Sequence, residues 1–84
     1  MDCNNWIEAL GAKALAQSKT LSNLRELTLA LNLIGDEGAG YLANSKNLSN
    51  LTYLNVVGNR LSAFGEALLS SSTELKKLKN LEYF

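Results

Sequence analysis

The sequence predicts an α/β fold: a short right-handed solenoid of about two and a half repeating units, with parallel strands on a concave face and helices on a convex face. Three observations predict it. The frame Asn-x-Ile/Leu-x-x-x-Gly-x-x-x-Leu occurs as Asn5, Ile7, Gly11, Leu15, then Asn32, Ile34, Gly38, Leu42, then Asn59, Leu61, Gly65, Leu69, every position keeping the same 27-residue period. Segments 11–23 (GAKALAQSKTLSN) and 38–50 (GAGYLANSKNLSN) are identical at 9 of 13 places. Within each unit, the apolar period changes from alternation, as in Leu27-x-Leu29 and Leu54-x-Val56, to a helical spacing, the signature of a strand–loop–helix unit.

The units divide as a partial repeat 1–23, repeats 24–50 and 51–80, and a partial strand 81–84, all in one domain. Helices are expected near 9–18, 36–45 and 63–74, with Leu10, Ala14, Leu15, Leu42, Phe64, Leu68 and Leu69 forming the inward stripes and Lys13, Gln17, Asn44 and Glu66 facing water. Asp36 and Glu37 open the second helix, where carboxylates meet the positive end of its dipole. In the strands, Leu27, Leu29, Leu54 and Val56 alternate inward, giving one stacked apolar row per position. Asn5, Asn32 and Asn59 follow at the bend, where a short amide can satisfy backbone groups leaving the ladder, and in register they form a buried ladder. Gly11, Gly38 and Gly65 allow close approach of layers or a tight turn.

The third unit reads as longer. Leu69 to Leu81 is a longer step than the matching steps from Leu15 to Leu24 and from Leu42 to Leu51, so a helical turn is expected as an insertion within Ser70 to Leu75. Leu78-Lys79-Asn80-Leu81 then matches Leu48-Ser49-Asn50-Leu51, and Tyr83 extends the column of Glu26 and Tyr53. The frame begins without its first strand and stops before a fourth Asn, which reads as a piece of a longer array or a unit relying on a neighbour.

Composition narrows the function. Eight Lys and Arg offset eight Asp and Glu, so no general field draws the chain to nucleic acid or anionic lipid. The chain has no His and one cysteine, Cys3, which leaves no usual zinc ligand set, no imidazole relay and no internal disulfide. No secretory signal or membrane span is legible, and the chain reads as soluble. No cofactor is expected. An enzymatic role is not expected either: Arg25 and Arg60, the only arginines that could serve as catalytic fingers, sit in no recognisable constellation.

If the strands line the concave side, the outward residues are Glu26, Thr28, Ala30, Tyr53, Asn55, Val57 and Tyr83. They are the candidate partner-binding set, with Tyr53 and Tyr83 foremost because tyrosine joins a rigid apolar body to a polar tip. A plainer reading has the two tyrosines simply covering the sheet. Lys76, Lys77 and Lys79 form a small basic cluster, read as a solvated helix end that could also touch an acidic partner or phosphate. Trp6 reads as a shield over the open end of the first unit that could also contact a partner.

The run Leu24-x-x-Leu27-x-Leu29-x-x-Asn32-x-Ile34-x-x-x-Gly38-x-x-x-Leu42 resembles the leucine-rich repeat in its long, helix-containing form typified by ribonuclease inhibitor. Gly11-Ala12-Lys13-Ala14-Leu15-Ala16 resembles the GALA subtype of bacterial effectors. Gly38-Ala39-Gly40-Tyr41-Leu42-Ala43 keeps most of that pattern, and Gly65-Glu66-Ala67-Leu68-Leu69-Ser70 departs from it. The resemblance implies a protein-binding module acting in the cytoplasm or, for a translocated effector, in the host cytosol. A ubiquitin-ligase adaptor role would fit such effectors, but no F-box segment is legible. The different-class alternative is a structural fragment that self-associates through uncapped ends, involving Leu81 and Phe84.

Overall fold

A computed structural model describes residues 8–30 and 33–83. Cys3, Asn5, Trp6, Ile7, Asn32 and Phe84 lie outside the described residues. Three helices, α1 (Ala9–Ala16), α2 (Gly35–Ala43) and α3 (Ala63–Ser70), alternate with three strands, β1 (Glu26–Thr28), β2 (Tyr53–Asn55) and β3 (Asn80–Glu82). Short 3-10 turns over Lys19–Leu21 and Lys46–Leu48 lead toward β1 and β2. The strands form one parallel sheet in the order β1-β2-β3. The helices form a second layer in chain order, α1 against α2 and α2 against α3.

Each strand is so short that alternation commits its middle residue inward and the two flanking ones outward. Leu27 and Leu54 are inward residues and have no exposed surface. The ladder runs on past them, with Leu29 N–H donating to the Asn55 carbonyl at 2.8 Å and Val56 N–H to the Glu82 carbonyl at 2.7 Å. Leu29 and Val56 thus form the second buried row. Across the gap, the helices present Leu42 and Leu69 to the core, with Ala12, Ala16, Ala39 and Ala43 buried beside them.

The helix layer packs closely because its contact residues are small. A Cβ at Gly38 would lie 2.6 Å from Ile34 Cβ and 3.3 Å from Ala12 Cβ, so glycine is what lets α2 seat against α1. A Cβ at Gly65 would run into the Asp36 carboxylate. That carboxylate, at the start of α2, accepts from Ser62 N–H at 2.8 Å and from the Ser62 hydroxyl, while Ser62 Oγ accepts from Phe64 N–H at 3.2 Å. Asp36 therefore serves the cap of α3 as well as the first turn of its own helix. These bonds hold its carboxyl below the ordinary carboxylate range, the Ser62 hydroxyl contributing most.

Asn59 is the frame asparagine that the structure describes, and it is 1% exposed. Its amide nitrogen donates to the carbonyls of Leu29 at 2.7 Å and Val56 at 2.9 Å, and its Oδ1 accepts from Ile34 N–H at 3.1 Å. It stitches its own bend to the preceding one. Arg60, directly after it, has φ +59°, and Leu33, at the same place one repeat earlier, has φ +55°, so both units turn through the left-handed region at one point of the frame.

The expected insertion in the third unit is absent. Leu81 pairs with Leu54, which pairs with Leu27, so the period of the first two units holds through β3. Accordingly, α3 ends at Ser70 and not near residue 74. Ser72 explains the stop: its hydroxyl donates to the Ala43 carbonyl at the end of α2 and accepts from Leu75 N–H at 3.2 Å. Ser45, its counterpart in the preceding repeat, likewise donates to the Ala16 carbonyl at the end of α1.

The helical stripes also need correction. Leu10 and Phe64 are 74% and 66% exposed, and Ala14 is exposed, whereas Lys13 and Glu66 are half-buried. Position 37, between Leu10 and Phe64 in the repeat, is Glu37 and is exposed too. Leu42 and Leu69 are buried as expected and Leu15 and Leu68 pack against the core, while Ala12, Ala16, Gly38 and Gly65 complete the inward stripe.

Candidate functional site

The sheet face turned away from the helices carries two rows of side chains. Strand register sets Glu26, Tyr53 and Asn80 side by side, and Thr28, Asn55 and Glu82 side by side. Of the expected residues, Glu26, Thr28, Tyr53 and Asn55 fall on this face together. Ala30 and Val57 follow in the same phase just past the strands and are half-buried.

Tyr83 does not join them. With Leu81 opposite Leu54, Tyr83 follows Leu29 and Val56 in the inward row and packs against the core. Asn80 and Glu82 take the outward places instead, and neither is among the residues expected from the sequence. Their signal is the repeat offset from Tyr53 and Asn55, which holds through β3.

The face is wired internally. Tyr53 O–H donates to the Glu82 carboxylate at 2.7 Å and accepts from Asn55 Nδ2 at 3.2 Å. Asn55 Oδ1 in turn accepts from Val57 N–H at 2.9 Å, closing a turn at the strand end. The chain of bonds runs from β3 across β2 into the following loop, so the phenol is held by two strands. The hydrogen bond to Glu82 is the chief reason the Tyr53 phenol titrates above its ordinary value, partly opposed by the bond from Asn55, with the nearby charge of Glu26 adding to the rise. Chemically, the face offers a fixed aromatic edge, amide groups and two carboxylates, suited to reading the donors and apolar side chains of another protein.

A second concavity lies on the helix layer between α1 and α2, about 480 Å³ in volume. Lys13 Nζ stands 5.7 Å from the centre of the Tyr41 ring, and Tyr41 O–H donates to Glu37 at 3.3 Å. The charge of Glu37 raises the Tyr41 phenol above its usual value. Lys13 thus leans on the next repeat and does not simply face water as expected, because stacking on a ring in a neighbouring unit has no sequence period.

Among the described residues, no helix is long and apolar enough to cross a membrane. Residues 20–43 match a family model described as a Leucine Rich repeat. The match takes in β1 and α2, so this segment is similar to a leucine-rich repeat. No curated protein and no solved structure matches the chain.

Proposed function

We propose that the chain is a protein-interaction module of ribonuclease-inhibitor-like leucine-rich repeats that binds a protein partner on the outward sheet face, the concave side of a right-handed solenoid. One observation carries the reading: Tyr53 is half-exposed yet fixed by Glu82 and Asn55. An aromatic side chain ordered before binding loses little entropy on contact, which is what makes such residues binding hot spots. The module works by packing and hydrogen bonding, not by chemistry. The GALA-like runs at 11–16 and 38–43 support a setting in a bacterial effector, with the partner in the host cytosol.

The test is capture of partners from host and bacterial lysates, followed by affinity measurement with Tyr53→Ala and Glu82→Ala. The expected loss for Tyr53→Ala is about tenfold or more in a chain that stays folded, in line with hot-spot truncations. Unchanged affinity in a folded variant moves the site off the sheet face.

Self-association is the second reading, favoured by the outer side of β3. Leu78 and Leu81 there are only half-buried, along a shallow cavity of about 190 Å³ lined also by Leu69 and Leu75. Sedimentation over a concentration series checks it. A monomer at every concentration counts against it, and association that survives Tyr53→Ala but not Leu81→Ser supports it.

A further inference from the structure

The register that builds the sheet also builds its entry edge. Immediately before the strands stand Arg25, Thr52 and Lys79, and two places earlier stand Asn23, Asn50 and Lys77, each set recurring once per repeat. Between the two columns lies a cleft of about 310 Å³ lined by Asn23, Arg25, Asn50, Thr52 and Lys77. Its lining holds two cationic side chains and no carboxylate. The chain as a whole is neutral, so this is a local concentration of positive charge and not part of a general field.

The cleft is braced by its own repeats. Asn50 Nδ2 donates to the Ser22 carbonyl at 2.7 Å, and Asn50 Oδ1 accepts from Lys77 Nζ at 2.9 Å. That bond sets the Lys77 ammonium at the cleft and leaves it further hydrogens to donate. The Thr52 hydroxyl and N–H both donate to the Arg25 carbonyl, at 3.2 and 2.7 Å, which fixes the backbone from which the Arg25 side chain springs. A guanidinium fork and an ammonium facing one small space suit an oxyanion, the fork gripping two oxygens and the ammonium a third.

We propose that this cleft binds a phosphate monoester, presented as a phosphorylated serine or threonine side chain of the partner that docks on the adjoining sheet face. The partner's identity as a protein rests on the reading given above. Two positive charges match the charge of a phosphate monoester near neutral pH, about −1.5 to −2, better than that of a single carboxylate. Arg25 and Thr52 lie directly before Glu26 and Tyr53, so the cleft adjoins the Glu26–Tyr53–Asn80 row. No aromatic ring lines the cleft to stack a nucleobase.

O-phosphoserine is the probe, followed by amide shifts in a titration of the whole chain, with acetate as the singly charged comparison. Saturable shifts centred on Asn50, Thr52 and Lys77, tighter for phosphoserine than for acetate and weakened about tenfold by Arg25→Gln with Lys77→Gln, are expected. Both replaced side chains are exposed, and each single substitution serves should the pair disturb folding. Shifts that never saturate, shifts of equal size around Lys19 and Lys46, or affinity unchanged in the substituted chains overturns the proposal. The probe needs no partner. Saturation here with partner affinity indifferent to Tyr53→Ala therefore sinks only the sheet-face reading, and the converse sinks only the cleft.

Discussion

Replacing Asn59 by alanine tests whether the bend asparagine is a structural staple. The change deletes donors to the Leu29 and Val56 carbonyls and the acceptor for Ile34 N–H. Leu29 and Ile34 are 0% and 2% exposed, so water cannot replace the lost partners. Three buried groups left unsatisfied cost roughly 1–3 kcal/mol each, or about 3–9 kcal/mol together. A domain of this size holds roughly 4–13 kcal/mol in all, taking about 0.05–0.15 kcal/mol per residue. The variant should therefore lose a large share of its stability, read as a lower urea midpoint at unchanged slope. Asn59→Asp sharpens the test: it keeps an oxygen for Ile34 N–H but turns the donor into an acceptor facing two carbonyls, and should lose at least as much at neutral pH. A loss under about 1 kcal/mol for alanine, or an aspartate variant as stable as the parent, refutes the reasoning.

Two glycines of α2 should respond with opposite sign. Gly38→Ala puts a Cβ 2.6 Å from Ile34 Cβ and should cost about 1–3 kcal/mol by overpacking, whereas at Gly40 the new methyl meets only Leu68 Cδ1 at an ordinary 3.7 Å and should add about 0.5–1 kcal/mol of helix stability in the same urea assay. Asp36, whose folded pKa lies below the model-peptide value of 3.8, adds stability that is fully present above that value and fades as pH falls through the folded one; Asp36→Asn should flatten the acid limb of a stability–pH curve, and an unaltered limb counts against the Ser62 cap. Tyr53, raised above 10.0, adds stability that is present below that pH and lost as pH climbs through its folded pKa. A phenolate absorbance titration should show Glu82→Gln lowering that pKa.

Much of this architecture is written in the period. Leu27, Leu29, Leu54 and Val56 are legible as inward rows because strand alternation leaves a leucine no other face to take. The third strand is open to misreading because leucines at 75, 78 and 81 stand three apart, so Leu-x-x-Leu fits two registers equally well. What decides between them is long-range: the ladder from Lys79 N–H to the Thr52 carbonyl at 2.9 Å and the seat of Ser72 on the end of α2. That one slip puts Tyr83 on the outward face and hides Asn80 and Glu82. The Leu10 and Phe64 error is of a different kind, since an apolar residue at helical spacing reads as core until the charged residue at the same place in the next unit is consulted.

The serines at the helix ends impose an order in time. The Ala16 carbonyl closing α1 is satisfied by Ser45 and, at 3.2 Å, by Asn47, and the Ala43 carbonyl closing α2 by Ser72. In each case the completing residue comes 29 or more positions later in the chain. A nascent chain leaving the ribosome therefore cannot finish a helix when that helix is made; it waits for the following repeat to emerge. Maturation trails synthesis by one unit, each repeat acting as the chaperone of the one before. Only the bond inside the helix is local: Ser71 donates back to the Ala67 carbonyl in α3 as Asn44 does to the Gly40 carbonyl in α2, and the closing carbonyls of α1 and α2 are left to the repeat that follows.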